Sequence, residues 1–191
     1  IDRVIVSTDS QEIASVAQQA GADTPFLRPP VLATDDALLR DALVHAVDWL
    51  KVHEGKEYDY IMLLQPTSPL RRTEHINQAI EHYFQEKQTE NDTLISVRAI
   101  SPKMGWIMHE AQQEGCLTYC VQGQDATSQR QDNPQYYLPN GAIYLSPIPI
   151  LHEYFFQSPR TLYYLMEKSV SMDIDELEDF LKAENLSIYV F

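Results

Sequence analysis

The sequence predicts an α/β sandwich with a largely parallel, mixed sheet, interrupted by an inserted β-rich arm. Three observations lead there. Short β-branched apolar runs at Arg3–Asp9, Tyr60–Leu64 and Thr93–Val97 alternate with three stretches of helical periodicity. From about Ser101 to Tyr137 that rhythm gives way to short apolar pieces in polar surroundings, with no strong helix. Strand-like and helix-like segments then resume to the end of the chain. The 191 residues suffice for one good-sized core, so residues 1–191 read as a single domain.

Taken in order, Arg3-Val4-Ile5-Val6 reads as a buried strand that ends in Ser7-Thr8-Asp9. Ile13, Val16, Ala17 and Ala20 then fall on one helical stripe, with Asp9 or Ser10 as cap and Gly21 as stop. After a Pro-punctuated loop, Leu39, Ala42, Leu43, Ala46, Val47 and Leu50 mark a second helix. The strand Tyr60–Leu64 ends in Gln65-Pro66-Thr67-Ser68-Pro69, where the two prolines stop further pairing. A third helix carries Ile76, Ala79, Ile80, Tyr83 and Phe84 on one face, and Thr93–Val97 is the next strand. Beyond the arm, Ala142–Leu145 returns to strand character, Ile148–Phe156 reads as helical and Leu162–Leu165 as strand. A last helix runs from Glu176 to about Leu186. In such sheets ligands sit beyond the carboxyl ends of the strands. That rule draws Ser7-Thr8-Asp9, Gln65–Ser68 and the segment leading to Asp173 towards one site.

Composition narrows the function. Asp and Glu outnumber Lys and Arg 28 to 14, and the resulting net charge of -14 repels nucleic acid and anionic membranes. No apolar run approaches the ~20 residues of a membrane helix. No basic, apolar leader opens the chain, so no secretion signal is expected. Cys116 and Cys120 fit no metal-binding spacing and read as reduced thiols of a cytoplasmic protein.

Asp173-Ile174-Asp175 is the most chemical feature. Alternate residues of an extended segment point the same way, so both carboxylates could face one hard cation such as Mg²⁺. Asp175 could equally cap the last helix. In the arm, Arg130 offers a fork suited to a carboxylate or phosphate, or is simply solvated. On local grounds Asn140-Gly141 is a turn signal, Arg28-Pro29-Pro30 an exposed loop, and Phe155-Phe156 core. The six scattered His residues suggest no chemistry.

Several segments together are more specific. Val4-Ile5-Val6-Ser7-Thr8-Asp9, Phe26-Leu27-Arg28-Pro29, Leu63-Leu64-Gln65-Pro66-Thr67-Ser68-Pro69-Leu70-Arg71, Arg130-Gln131-Asp132, Asn140-Gly141-Ala142-Ile143-Tyr144 and Ser171-Met172-Asp173-Ile174-Asp175 run in this order. The whole chain thereby resembles the acylneuraminate cytidylyltransferases, the CMP-sialic acid synthetases and their pseudaminate and legionaminate relatives. The resemblance implies a three-layer, Rossmann-like nucleotidyltransferase fold and an arm, about 101–137, that dimerises with a second copy. It implies transfer of CMP from CTP to the anomeric hydroxyl of a nonulosonic acid, with release of pyrophosphate. Asp173 and Asp175 would hold Mg²⁺. Gln65, Asn140, Tyr144, Phe155 and Phe156 would shape the sugar pocket, Arg130 would pair with the sugar carboxylate, and Arg28 would contact the nucleotide.

The family opens with a strand and a phosphate-wrapping loop that precede the first segment here, so the sequence is expected to be part of a longer gene product. Leu38 and Leu39 stand where many relatives carry small hydroxyl residues, and Gln129 where an Arg is common. Alternative readings are a cytidylyltransferase for an eight-carbon 2-keto-3-deoxy acid, or a non-catalytic nucleotide- or sugar-binding subunit.

Overall fold

The structure, a computed structural model, describes residues 1–101, 107–110, 116–121 and 134–190. They fall into two compact units, Ile1–Ile61 with Pro147–Phe155 and Met62–Ser146 with Phe156–Phe191.

In the first unit, α1 (Gln11–Gln19) starts where the Ser10 hydroxyl accepts the N–H of Ile13. The buried face of α1 is not the expected stripe. Ala14 is buried, while Ile13 and Val16 are more than half exposed. The segment before it also differs from expectation. It is extended, but it pairs only through an isolated parallel bridge between Ile5 and Asp23. An apolar run becomes a strand only where a neighbour supplies a ladder, and here the ladder is two hydrogen bonds long, Val6 N–H to Asp23 O and Asp23 N–H to Val4 O. The second helix, α2 (Leu39–Glu54), buries Ala42 and Leu50. It closes at Gly55, whose φ of 64° lets its N–H reach the carbonyl of Lys51. A 3-10 turn (Ile148–Ile150) leads into the short α4 (Leu151–Tyr154), which packs against α2. Ile148 N–H donates to Asp59 O at 2.9 Å.

The main sheet has the order β1-β5-β2-β6 and belongs to the second unit except for Tyr60, Ile61 and Pro147. Its strands are β1 (Tyr60–Leu63), β2 (Thr93–Ile100), β5 (Tyr136–Pro147) and β6 (Thr161–Met166). The sheet is mixed, as expected, but less parallel than expected: β2 and β6 are parallel, β2 and β5 antiparallel. α3 (Thr73–Glu86) packs on β2 and β6 through Ala79 and Tyr83, both fully buried. The Tyr83 hydroxyl donates to the carbonyl of Asp92 at 2.8 Å. Between β2 and β5 in the chain, β3 (Met108–Glu110) and β4 (Leu117–Tyr119) form a two-stranded antiparallel sheet. Cys116 and Cys120 are free thiols. α5 (Leu177–Val190) ends the described chain.

Candidate active site

The site of the second unit forms around a distortion of β5. Ile95 pairs with Tyr144 and Val97 with Pro139, so two steps along β2 correspond to five along β5. Asn140-Gly141 lies in this bulge, inside a strand, not in the turn that the dipeptide suggests by itself. The bulge is stable because side chains replace the missing ladder bonds. Ser96 Oγ accepts Ile143 N–H at 2.7 Å and donates to Asn140 Oδ1 at 2.6 Å, while Asn140 Oδ1 also accepts Ala142 N–H at 3.2 Å. Asn140 Nδ2 donates to Ser171 Oγ at 2.9 Å. Ser68 Oγ donates to the Asn140 carbonyl at 2.9 Å. Ser68 and Ser96 are fully buried, and Asn140 nearly so. Asn140, expected to line the sugar pocket, thus has its amide committed to shaping the bulge.

Gly141 sits at the centre, with φ at 72°. A Cβ there would stand 2.8 Å from Gln65 Oε1, 2.8 Å from Ser68 Oγ and 3.4 Å from Asp173 Oδ2. The absent side chain is what lets these three groups converge. Two further contacts hold the elements that carry them. Ile174 N–H donates to Thr67 O at 2.9 Å, which fastens the Asp-Ile-Asp segment to the Gln65–Ser68 turn. Arg71 Nη1 reaches the carbonyls of Gln65, Ser68 and Ala142, at 3.2, 3.4 and 2.8 Å, which fastens the turn to the bulge. No carboxylate faces Arg71 among the described residues, and burial pushes its pKa down.

Tyr144 belongs to the same cluster. Burial first, and then the nearby Asp173 carboxylate, push its phenol up, while the Gly141 N–H acts in the opposite direction. Its ring packs against Phe156, with centroids 5.4 Å apart. Phe156 is only 1% exposed, so it backs Tyr144 and offers no open surface itself. Asp173 and Asp175 are both exposed, with the half-buried Ile174 between them. The capping expected of Asp175 is done instead by Asp179, whose Oδ2 accepts the N–H groups of Asp175 and Glu176 at 3.4 and 3.3 Å. The Asp175 carboxylate has no hydrogen-bond or ion-pair partner among the described residues.

The structure therefore brings Gln65, Asn140, Tyr144 and Asp173 together, with Phe156 behind them. Arg28 and Phe155 lie in the first unit. Arg28 Nε donates to Ser7 Oγ at 3.1 Å and its Nη2 to the Ser7 carbonyl, tying the Pro loop to the end of the first extended segment. Arg130 lies outside the described residues. Sequence reasoning missed Ser96 and Arg71, which act through partners distant in sequence. For Arg71 a signal existed, because a cation directly after a Pro-bounded turn at a strand end is well placed to bind the turn's carbonyls.

A polar, carboxylate-bearing cluster at the bulge of a mixed α/β sheet is a candidate ligand site. The chain belongs to the cytidylyltransferase family, whose model, described as "Cytidylyltransferase", matches residues 1–190. Among similar proteins is the CMP-N,N'-diacetyllegionaminic acid synthase of Legionella pneumophila, 34% identical over 189 residues, covering 97% of this chain and 78% of that protein. The N-acylneuraminate cytidylyltransferase of Escherichia coli O18:K1:H7 is 33% identical over 180 residues, covering 94% of this chain but 40% of the longer relative. A pseudaminic acid cytidylyltransferase of Campylobacter jejuni is 26% identical over 188 residues, covering 97% of this chain and 78% of the relative. In fold, the chain is similar to CMP:2-keto-3-deoxy-manno-octonic acid synthetase complexed with CTP, with a TM-score of 0.65 and 16% identity, over all of this chain and 83% of that one.

Proposed function

We propose that this chain transfers CMP from CTP to the anomeric hydroxyl of a nonulosonic acid, releasing pyrophosphate. The observation that carries the proposal is the convergence of Gln65, Ser68 and Asp173 on Gly141, supported by the names of the relatives above. Gln65 and Tyr144 supply an amide and a phenol for sugar hydroxyls. Tyr144 is a phenol whose pKa lies above its ordinary 10, so it is a neutral hydrogen-bond donor at neutral pH.

The donor set at Asp173 and Asp175 fits Mg²⁺. Both groups are exposed hard oxygen ligands with no internal cation, and Mg²⁺ takes one or two carboxylates alongside substrate phosphates. Bound there, Mg²⁺ would neutralise charge on the triphosphate, which a protein of net charge -14 requires. Arg130 is assigned to the carboxylate of the sugar and Arg28 to the nucleotide. Arg28 suits this role because its guanidinium is fixed by Ser7 and pairs with no acid among the described residues. The arm is assigned to a homodimer contact, and the two unpaired cysteines suit a cytoplasmic location.

The test is pyrophosphate release by the full-length protein with CTP, Mg²⁺ and a panel of nonulosonic and eight-carbon 2-keto-3-deoxy acids. Release with a nonulosonic acid is expected. Release with the eight-carbon acid alone, or with none, would reject the proposal.

A further inference from the structure

The side-chain amide of Gln65 lies beside Gly141, half-buried, and makes no hydrogen bond among the described residues. An amide without a partner is not located by its own head group, so its position follows from the backbone that carries it. The Gln65 carbonyl accepts two donors. One is Ser68 N–H at 3.3 Å, a bond inside the turn itself. The other is Arg71 Nη1 at 3.2 Å. The same nitrogen reaches Ser68 O at 3.4 Å, also in the turn, and Ala142 O at 2.8 Å, in the bulge. Two N–H groups thus serve three carbonyls, and the shortest contact is the one to the bulge.

The far end of the turn has ties of its own. Ser68 Oγ donates to the Asn140 carbonyl, and Thr67 O accepts Ile174 N–H. The Gln65 end has neither. Among the described residues Arg71 is the hydrogen-bonded link between the Gln65 backbone and the bulge. The guanidinium is held there against the loss of its hydration: burial pushes its pKa down, and no carboxylate offsets that among the described residues. The three carbonyls are what locate it.

We infer that Arg71 is a positioning residue that holds the Gln65 amide against Gly141 and so sets the affinity for the sugar acid. The inference rests on the reading of Gln65 as a group that binds the sugar. Every residue it uses belongs to the second unit. Arg71 acts through the carbonyl of Gln65, so the amide keeps one position before substrate arrives.

The test is a cycle of Arg71→Met and Gln65→Ala in the full-length protein. Arg71→Met keeps the length and apolar stem of the side chain and removes its donors. It releases Ser68 O and Ala142 O as well as Gln65 O, and Gln65→Ala leaves all three carbonyls in place. The structural part of the loss should therefore appear as the same fall in Tm in both backgrounds. Sugar affinity should not follow that pattern. Arg71→Met should raise the KM for the sugar acid about tenfold in the Gln65 protein, the worth of about one hydrogen bond, and less than about twofold beside Gln65→Ala. The KM for CTP should stay within about twofold, because Thr67 keeps its bond to Ile174. Arg71→Lys should show a smaller rise of the same pattern, and it decides the case if Arg71→Met does not fold. An equal rise in both backgrounds, an unchanged KM in the Gln65 protein, or a parallel rise for CTP would overturn the inference. NMR keeps the test independent of the reaction. The side-chain amide signals of Gln65, assigned by their loss in Gln65→Ala, should shift in the Arg71 variants. If the wild-type protein turns over no sugar acid, the proposed reaction falls, and those signals alone decide whether Arg71 holds Gln65: signals that do not move overturn it.

Discussion

Adding one methyl group at Gly141 tests the geometry of the site at its centre. The new Cβ of Gly141→Ala would stand 2.8 Å from both Gln65 Oε1 and Ser68 Oγ, closer than non-bonded contacts allow. Gln65 can swing aside at little cost, because it is the end of a flexible side chain. Ser68 cannot, because it is fully buried and its hydroxyl is held by the Asn140 carbonyl. Moving it breaks that bond and strands a buried hydroxyl, at about 1–3 kcal/mol. The φ of 72° adds about 1–2 kcal/mol for any residue with a Cβ. The sum is about 2–5 kcal/mol, a large part of the ~5–15 kcal/mol of an ordinary domain. Gly55→Ala provides the control. Its φ of 64° carries the same backbone penalty, but nothing lies within 4 Å of its Cβ position. Urea unfolding of both variants at unchanged m isolates the crowding term as their difference. A Gly141→Ala cost equal to that of Gly55→Ala would mean that Gln65, Ser68 and Asp173 do not converge, and the account of the site would fail.

Three further outcomes are expected. Asp175→Ala should lower kcat by at least about a hundredfold while changing the urea midpoint little, since Asp179 does the capping; equal losses in rate and stability would mean a structural role. Asp92→Asn should cost about 3 kcal/mol, because it removes a fully buried carboxylate from Arg160 and from the N–H groups of Gln88 and Thr89. Burial alone would raise the pKa of Asp92, but those donors together hold it below its ordinary 3.8, so its contribution is complete above that pH and is lost as pH falls through the folded value; an acid-unfolding curve unchanged in Asp92→Asn would contradict this. His75 is held below its ordinary 6.5, first by burial and then by the charge of Arg72, and its Nδ1 must stay unprotonated to accept the Arg72 N–H at 3.1 Å. Stability should therefore fall as pH drops below about 6.5, and His75→Gln should flatten urea midpoints measured between pH 7.5 and 5.5.

Much of the fold could be read locally. The stripe of α3, the Ser10 cap of α1 and the Pro-bounded turn after β1 each depend on residues within a few positions of one another. The polar segments Gln65–Ser68 and Asp173–Asp175 were legible as strand-end chemistry for the same reason. What could not be read depends on distant partners. Asn140-Gly141 is a turn signal by itself and becomes a bulge because Ser96, 44 positions earlier, bonds to it. The apolar segment Arg3–Val6 had a strand's composition but found only Asp23 beside it.

The central claim is that the cluster around Gly141 serves the joining of CMP to a nonulosonic acid. The most direct measurement is mass spectrometry of the products made by the full-length protein from CTP, Mg²⁺ and each candidate acid. The account predicts a CMP ester of a nine-carbon acid that is formed by the wild-type protein and lost in Asp175→Ala. A CMP ester that persists in Asp175→Ala, or CTP that stays intact beside every acid, would contradict it.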